Sequence, residues 1–273
     1  MSVSRYANYD NAEDRLKAFT RSAIRTRIML CLRGNALVIS ELEGLMGVRA
    51  STILHAIKEM IEEGLIVKNS QRYSLSNIGI IQVSIIDQLI DSITVMDDHR
   101  DFWLDHDISG IPKTLLTQIG MLGQCEIIKG DPEDPFKQNR ILMNEIQHAD
   151  RISLITPIII PGYPQLLSEM AWEGKEVDVI LTNSLLYRIS SGSGLSGMLK
   201  DLLNLDEFRL YVVEGPLRVK LAATESLMRL GLVRHDGHYD LNTDFICKGE
   251  EGLRWGEALF RHYLAISSPV THL

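Results

Sequence analysis

The sequence predicts a mixed α+β and α/β protein of two domains, a small helical head closed by a β-hairpin and a larger body built on a mainly parallel sheet. Three observations predict it. Two apolar-periodic segments flank a glycine turn and run into a hairpin between Val38 and Leu75; beyond Ile111 short apolar strands alternate with helical segments. At 273 residues the chain also has the length for two domains of roughly 100–200 residues each. The expected domains are residues 1–105 and 106–273.

In the head, Val38 to Met46 is a short amphipathic helix, Gly47-Val48 a turn, and Arg49 to Glu63 a second helix. Gly64-Leu65-Ile66-Val67 starts a strand that returns through Tyr73-Ser74-Leu75 after the polar tip Lys68 to Arg72. Helix, turn, helix and hairpin in that order make a winged helix-turn-helix, whose second helix enters the major groove of double-stranded DNA. Ile53, Ile57, Met60 and Ile61 form the expected buried stripe of that helix. Ala50, Ser51, Leu54, His55 and Lys58 are left to face base edges, and Lys68 and Arg72 on the wing to grip the DNA backbone. Upstream, Asn11 to Arg33 reads as a helix ended by Gly34-Asn35.

Ile80 to Trp103 is a long amphipathic helix, with Ile86, Leu89, Ile93 and Met96 stepping by three, four and three and Val83 and Ile90 widening the stripe. That pattern predicts a short coiled-coil-like seam and a homodimer.

Charge divides as the head predicts. Residues 1–78 hold 11 Lys+Arg against 8 Asp+Glu, net +3, whereas residues 79–273 hold 17 against 28, net −11. A basic head on an acidic body is expected where only one end meets phosphate. The 45% hydrophobic and 23% charged composition belongs to a folded chain rather than a disordered one. No apolar run approaches the ~18–20 residues of a membrane span, residues 1–15 are too polar for a signal peptide, and no membrane partner is expected. Cys31, Cys125 and Cys247 are too widely spaced for a disulfide framework or a metal knuckle, so a reducing cytoplasm is expected.

In the body, Ile111-Pro112 opens a helix, and Cys125 to Ile128, Arg151 to Thr156, Val177 to Thr182 and Phe208 to Val213 read as strands. Gly130 to Pro135 is a turn-rich loop, and helices are expected at Phe136–Ala149, near Tyr163–Glu173 and at Gly197–Leu203. Leu217 to Ala222 alternates apolar residues with Arg218 and Lys220, as a half-exposed strand would. Ser190 to Gly194 reads as a loop, Asp236-Gly237 as a hairpin turn, and Gly252 to Ile266 as a closing helix anchored by Trp255, Leu259 and Tyr263.

Several phrases carry a family likeness: Pro112-x-x-Leu115-Leu116-x-x-Ile119-Gly120, Cys125-Glu126-Ile127-Ile128, and Gly252 to Tyr263 with its Trp-Gly-Glu-x-Leu-Phe-x-x-Tyr run. With them residues 10–78 resemble the ArsR-like winged-helix regulators of archaea, and the C-terminal two thirds resemble the FilR-type middle domain of methanogenesis regulators. The resemblance implies a transcription regulator with a sensor-like domain whose ligand it does not name.

The body is also similar to the phospholipase D-like fold, whose enzymes need H-x-K-x-x-x-x-D with a nucleophilic His. Here the register gives Arg218-Val219-Lys220 and Glu225. A guanidinium with a pKa above about 12 is no nucleophile, so no catalytic residue and no enzyme is expected. Arg218 and Lys220 instead suggest an anion site. Ligands of parallel sheets lie beyond the carboxyl ends of the strands, which adds Thr156, Thr182, Asn183, Ser184 and Glu214. His235-x-x-His238 sits at a hairpin tip with only distant Cys247 to help, so no metal and no cofactor is expected. The readings to separate are a DNA-binding regulator with a small-molecule effector, an enzyme of the phospholipase D type, and a winged-helix adaptor that never touches DNA.

Overall fold

The computed structural model describes residues 22–130, 137–192 and 194–273. Residues 11–21 of the first expected helix, and most of the 130–135 loop, lie outside the described residues. The chain divides into two compact units, residues 1–90 and 91–273, so the division falls inside the long helix and not at the expected 105/106 boundary.

The first unit holds α1 (Ala23–Cys31), α2 (Ile39–Met46), α3 (Ala50–Glu62), β1 (Ile66–Asn69), β2 (Arg72–Leu75) and the start of α4 (Asn77–Asp98). Ser22 caps α1, its hydroxyl accepting from the Arg25 N–H at 3.4 Å. Gly47, at φ 63°, makes the left-handed turn that the helix-turn-helix requires. Glu43 then caps the incoming helix by accepting from the Ala50 N–H at 3.0 Å. The antiparallel wing pairs Ile66 with Leu75 and Asn69 with Arg72. Ile28, Leu42, Ile53, Ile57, Met60, Ile66, Tyr73, Val83 and Ile86 form one core.

Four expectations fail here. Ile61 is exposed, and Ala56 takes its place in the buried stripe of α3. Ile86 is buried in this core and so cannot belong to an outward seam. The expected continuous helix to Trp103 also stops at Asp98, and α5 (Arg100–Asp105) starts after His99. Against the expectation of no long apolar run, α4 is long and apolar enough to cross a membrane by length and composition, although only 28% of that window is buried within the protein.

The second unit continues with β3 (His106–Asp107), α6 (Lys113–Leu116), β4 (Cys125–Lys129), α7 (Lys137–Gln147), β5 (Arg151–Ile155), α8 (Tyr163–Trp172) and β6 (Glu176–Thr182). After these come α9 (Asn183–Gly192), α10 (Leu195–Leu202), β7 (Phe208–Val213), β8 (Val219–Ala223), β9 (Met228–Arg234), β10 (Thr243–Cys247), α11 (Glu250–Ala265) and β11 (Ser267–Pro269). The strands make one sheet in the order β11-β7-β6-β5-β8-β9-β10-β4, with β3 on β9.

The sheet is mixed and mostly antiparallel, which corrects the mainly parallel expectation. Among the described residues only β5–β6 and β6–β7 pair in parallel, while β8, β9, β10 and β4 form an antiparallel run. That run was hidden because its strands carry Lys220, Arg229 and Asp244, which read as surface residues yet lie inside. β8 is buried along its whole length, not half exposed. Helix α9 likewise replaces the expected loop around Ser190, and the Asp236-Gly237 turn is present with Gly237 at φ 86°.

Both faces of the sheet are covered. Trp255, Leu259 and Tyr263 of α11 pack on one face against Ile180, Leu221 and Leu230; Trp255 Nε1 donates to the Leu115 carbonyl at 3.1 Å and the Tyr263 hydroxyl to Gly110 at 2.7 Å. Burial pushes the Tyr263 hydroxyl up to about 12. Leu142, Leu166, Met170, Leu185 and Leu199 pack on the other face against Leu154, Val179 and Leu210.

Cys125 and Cys247 stand directly opposite on β4 and β10 and form a disulfide, against the expectation of none. Gly252 of α11 makes room for it, since a Cβ there would come within 2.7 Å of the Cys247 Cβ and 3.1 Å of the Cys125 sulfur. The bond closes a loop with a sequence separation of 122 residues. Cys125→Ser should therefore lower the unfolding free energy by roughly 2–5 kcal/mol in oxidising denaturant titrations, and dithiothreitol should lower the unsubstituted chain by a similar amount. Equal stability in all three samples would show that the sulfurs are not joined in solution.

Candidate functional site

The outward face of α3 carries Ser51, Leu54, His55 and Lys58, all exposed, with Ala50 half-buried at its start. Leu54 is 44% exposed, an apolar side chain held in water among polar neighbours. The His55 Nε2 lies 3.4 Å from Glu59 on the same helix. Arg49 and Thr52 are exposed beside them and were not singled out from sequence. The signal for both was their place in the first turn, since the N-terminal residues of a recognition helix reach base edges.

On the wing both expected cations are exposed, but they differ. Lys68 lies over the Tyr73 ring, its Nζ 5.6 Å from the ring centre. Arg72 is tied back to its own domain, donating to the Ala36 carbonyl at 2.6 Å and lying 3.5 Å from Glu41. Lys68 is thus the freer of these two to meet an external phosphate.

The expected effector residues of the second domain do not gather. Arg218 is exposed and paired with Asp107, whose carboxyl is lowered to about 2, first by hydrogen bonds from Ser109 and then by Arg218. Glu214, Asn183 and Ser184 are exposed, whereas Thr182 is buried and caps α9 by accepting from the Leu185 N–H at 3.2 Å. Asn183 and Ser184 thus begin a helix instead of lining a strand-end loop. Glu225 accepts from the Asp150 N–H at 3.1 Å. Arg218, Lys220 and Glu225 each have separate partners, and no catalytic pair forms from them.

Lys220 belongs to a buried charge cluster. Its Nζ lies 2.9 Å from Asp244 Oδ1 and donates to the Asp240 carbonyl at 3.2 Å. Arg229 grips the other Asp244 oxygen through Nε and Nη2 at 2.8 and 2.5 Å, and its Nη1 donates to the Tyr163 hydroxyl at 3.3 Å. Burial pushes the Lys220 ammonium down, with Asp244 opposing. Burial also works against the Arg229 charge, but Asp244 and Tyr163 outweigh it and raise the guanidinium. Beside this cluster Asp240 is held low despite burial by the backbone N–H groups of Asn242 and Thr243 and by His106 at 3.2 Å. Gly231 is what admits the Lys220–Asp244 pair: a Cβ there would fall 2.0 Å from the Lys220 Cε and 2.5 Å from Asp244 Oδ1. The cluster is a set of buried ion pairs centred on Asp244.

On the same face an apolar cavity of about 90 Å³ lies between the parallel strands and the helices α8 and α10. Leu154, Val179, Leu181 and Leu210 form its floor, and Leu185, Leu199 and Tyr163 its walls. Of the expected effector residues only Thr156 lines it, and its hydroxyl donates to the Ile158 carbonyl at 2.5 Å. Among the described residues no cluster of His, Cys, Asp and Glu could hold a metal, and Cys247 is engaged in the disulfide.

A winged helix in one unit and a helix-covered mixed sheet in the other define a two-domain protein with a DNA-reader type of head. The chain matches the N-terminal domain of the methanogenesis regulatory protein FilR1 over residues 13–94 and the FilR1 middle domain over residues 135–266, and through both domains it belongs to the FilR1 family. It is 34% identical over 251 residues to the methanogenesis regulatory protein FilR1 of Methanothrix harundinacea (strain 6Ac), covering 91% of this chain and 56% of that protein. The chain thus spans little more than half of that relative's length. Two solved structures share 13% and 11% identity: TrmBL2, an archaeal chromatin protein with a mode of DNA binding of its own, and Nuc, a phospholipase D family member from Salmonella typhimurium. The first covers 91% of this chain and 94% of its own at a TM-score of 0.42, the second 54% and 99% at 0.40, too low for either to bear on function.

The charge cluster generates a test. Asp244→Asn leaves Lys220 and Arg229 facing each other in the interior and should cost about 3–5 kcal/mol in urea titrations. Combining it with Lys220→Met should recover part of that loss, because one of the two stranded cations is removed while Arg229 remains without its carboxylate. Additive losses in the double variant would show that the three groups do not act as a unit.

Proposed function

We propose that the chain is a sequence-specific, DNA-binding transcription regulator of ArsR-like winged-helix type. Two heads, joined as a homodimer, would read adjacent half-sites of double-stranded DNA. The second domain would sense a small molecule and shift the spacing of the heads. The observation that carries the reading is the outward face of α3, where Ser51, Leu54, His55 and Lys58 stand exposed behind a helix-turn-helix turn built on Gly47. Membership of a family of regulatory proteins supports it, and the name of the relative suggests genes of methanogenesis as targets. A regulator of genes works in the cytoplasm, and the dispersal of Arg218, Lys220 and Glu225 among separate partners favours a non-enzymatic second domain.

The proposed dimer contact is the exposed apolar stripe of α4: Ile78, Ile81, Ile85, Leu89, Ile93 and Met96, spaced by three or four residues. Replacing Leu89 and Ile93 by Glu should give monomers by light scattering and abolish tight DNA binding, since a dimer would bury four carboxylates against apolar side chains. A variant that stays dimeric would put the contact elsewhere.

Base reading and backbone contact separate by their specificity. On genomic fragments enriched by the full chain, Ser51→Ala or His55→Ala should each cost about 1–3 kcal/mol, with little loss on random DNA. Lys68→Ala should weaken both alike and reduce the salt slope by about one. Equal specificity ratios for the two sets would rule out α3 as the reading helix, and absence of salt-dependent binding to any fragment would favour the adaptor reading.

A further inference from the structure

We infer that the cavity beneath α8 and α10 binds a small, uncharged apolar molecule: an aromatic ring or a short hydrocarbon chain. Binding stands on the cavity alone; its effect on DNA rests on the sensing reading proposed above.

The walls decide the class of ligand. Leu154, Val179, Leu181, Leu185, Leu199 and Leu210 offer only hydrocarbon. The polar side chains that reach the cavity have turned their hydroxyls elsewhere, Thr156 to the Ile158 carbonyl and Tyr163 towards Arg229. A charged or strongly polar ligand would lose its hydration there and receive nothing in return. Size points the same way. An apolar cavity of about 150 Å³ stays dry and accepts benzene, and this one, at about 90 Å³ and open on one side, admits a ring or chain whose remainder extends to the mouth.

The neighbouring cations do not alter that assignment. Lys220 and Arg229 lie on the same face of the sheet, but both are held by Asp244. The void that reaches them from Tyr163 and Ile160 measures about 10 Å³, room for about one water and not for a carboxylate. The cavity lies on the face of β5, β6 and β7, the three strands that pair in parallel, and is bordered by Thr156 and the crossing segment 158–160.

The test titrates the full chain, labelled at its Leu and Met methyl groups, with toluene and separately with benzoate, a charged molecule of similar shape. Toluene should shift the methyls of Leu181, Leu199 and Met198 and raise the melting temperature by about 3 °C near saturation. Benzoate should do neither. Met198→Trp, which fills the mouth, should weaken toluene at least tenfold; Leu195→Phe does the same work should that variant fail to fold. Absence of toluene binding, equal binding of benzoate, or toluene affinity unmoved by both filling variants overturns the assignment. DNA titration with and without toluene separates the two readings. Cavity binding without a change in DNA affinity supports the site and removes the sensing role. A DNA response to a metabolite whose binding ignores the filled cavity keeps sensing and overturns this cavity as its seat.

Discussion

A sheet covered by helices on both faces leaves no water for a charge that enters it, so an ionised side chain buried between sheet and helices has to arrive with its partner. Asp244 meets this demand for two cations at once, holding Lys220 with one oxygen and Arg229 with the other. The rest of that face follows from the arrangement. Gly231 has no side chain because the pair occupies its space, Tyr163 turns its hydroxyl to Arg229, and the remaining wall of the face is left to leucine and valine. Replacing such a set by apolar groups is often neutral in stability, whereas removing one member is not. The cluster is therefore better understood as fixing how β8, β9 and β10 align than as a source of net stability.

The same pairing explains where the sequence could be read and where it could not. The head was legible because its signals are local: apolar residues at helical spacing, a glycine at the turn, and a hairpin within about ten residues. Their outcome is visible in the core of Ile53, Ile57 and Met60 and in the exposed face of Ser51, Leu54, His55 and Lys58. Errors there concerned which face a residue takes, Ile61 placed inside in place of Ala56 and Ile86 placed outside, at positions on the border of an apolar stripe.

In the body the deciding contacts are distant along the chain. Lys220 and Arg229 look like solvent residues until Asp244 is brought beside them, so a fully buried antiparallel run passed for a half-exposed strand and an unassigned stretch. Cys125 and Cys247 meet only once β4 and β10 pair. The candidate effector residues chosen for polarity at strand ends take structural places there for a related reason. Thr182, Asn183 and Ser184 are the kind of residues that begin a helix, and they begin α9. The cavity nearby is apolar, a property that no search for polar side chains could detect.

Helix α4 shows how far hydropathy alone can carry a reading. Its length and composition would suit a bilayer, yet a spanning helix meets lipid around most of its circumference, and α4 does not have that symmetry. Val83 and Ile86 on one side are buried in the core of the winged unit, Gln82 is 8% exposed, and Asp87 pairs with Arg33. Exposed apolar residues form a line from Ile78 through Ile85 and Leu89 to Met96, with Ile80 and Ile90 exposed away from it. A helix that buries one side in its own domain and carries a connected apolar stripe in water has room for one more protein surface. A second copy of the same stripe meets that need with matched spacing and no new charge. That is why the proposed pairing of two heads begins at α4 and excludes Ile86, whose burial belongs to the fold of each head.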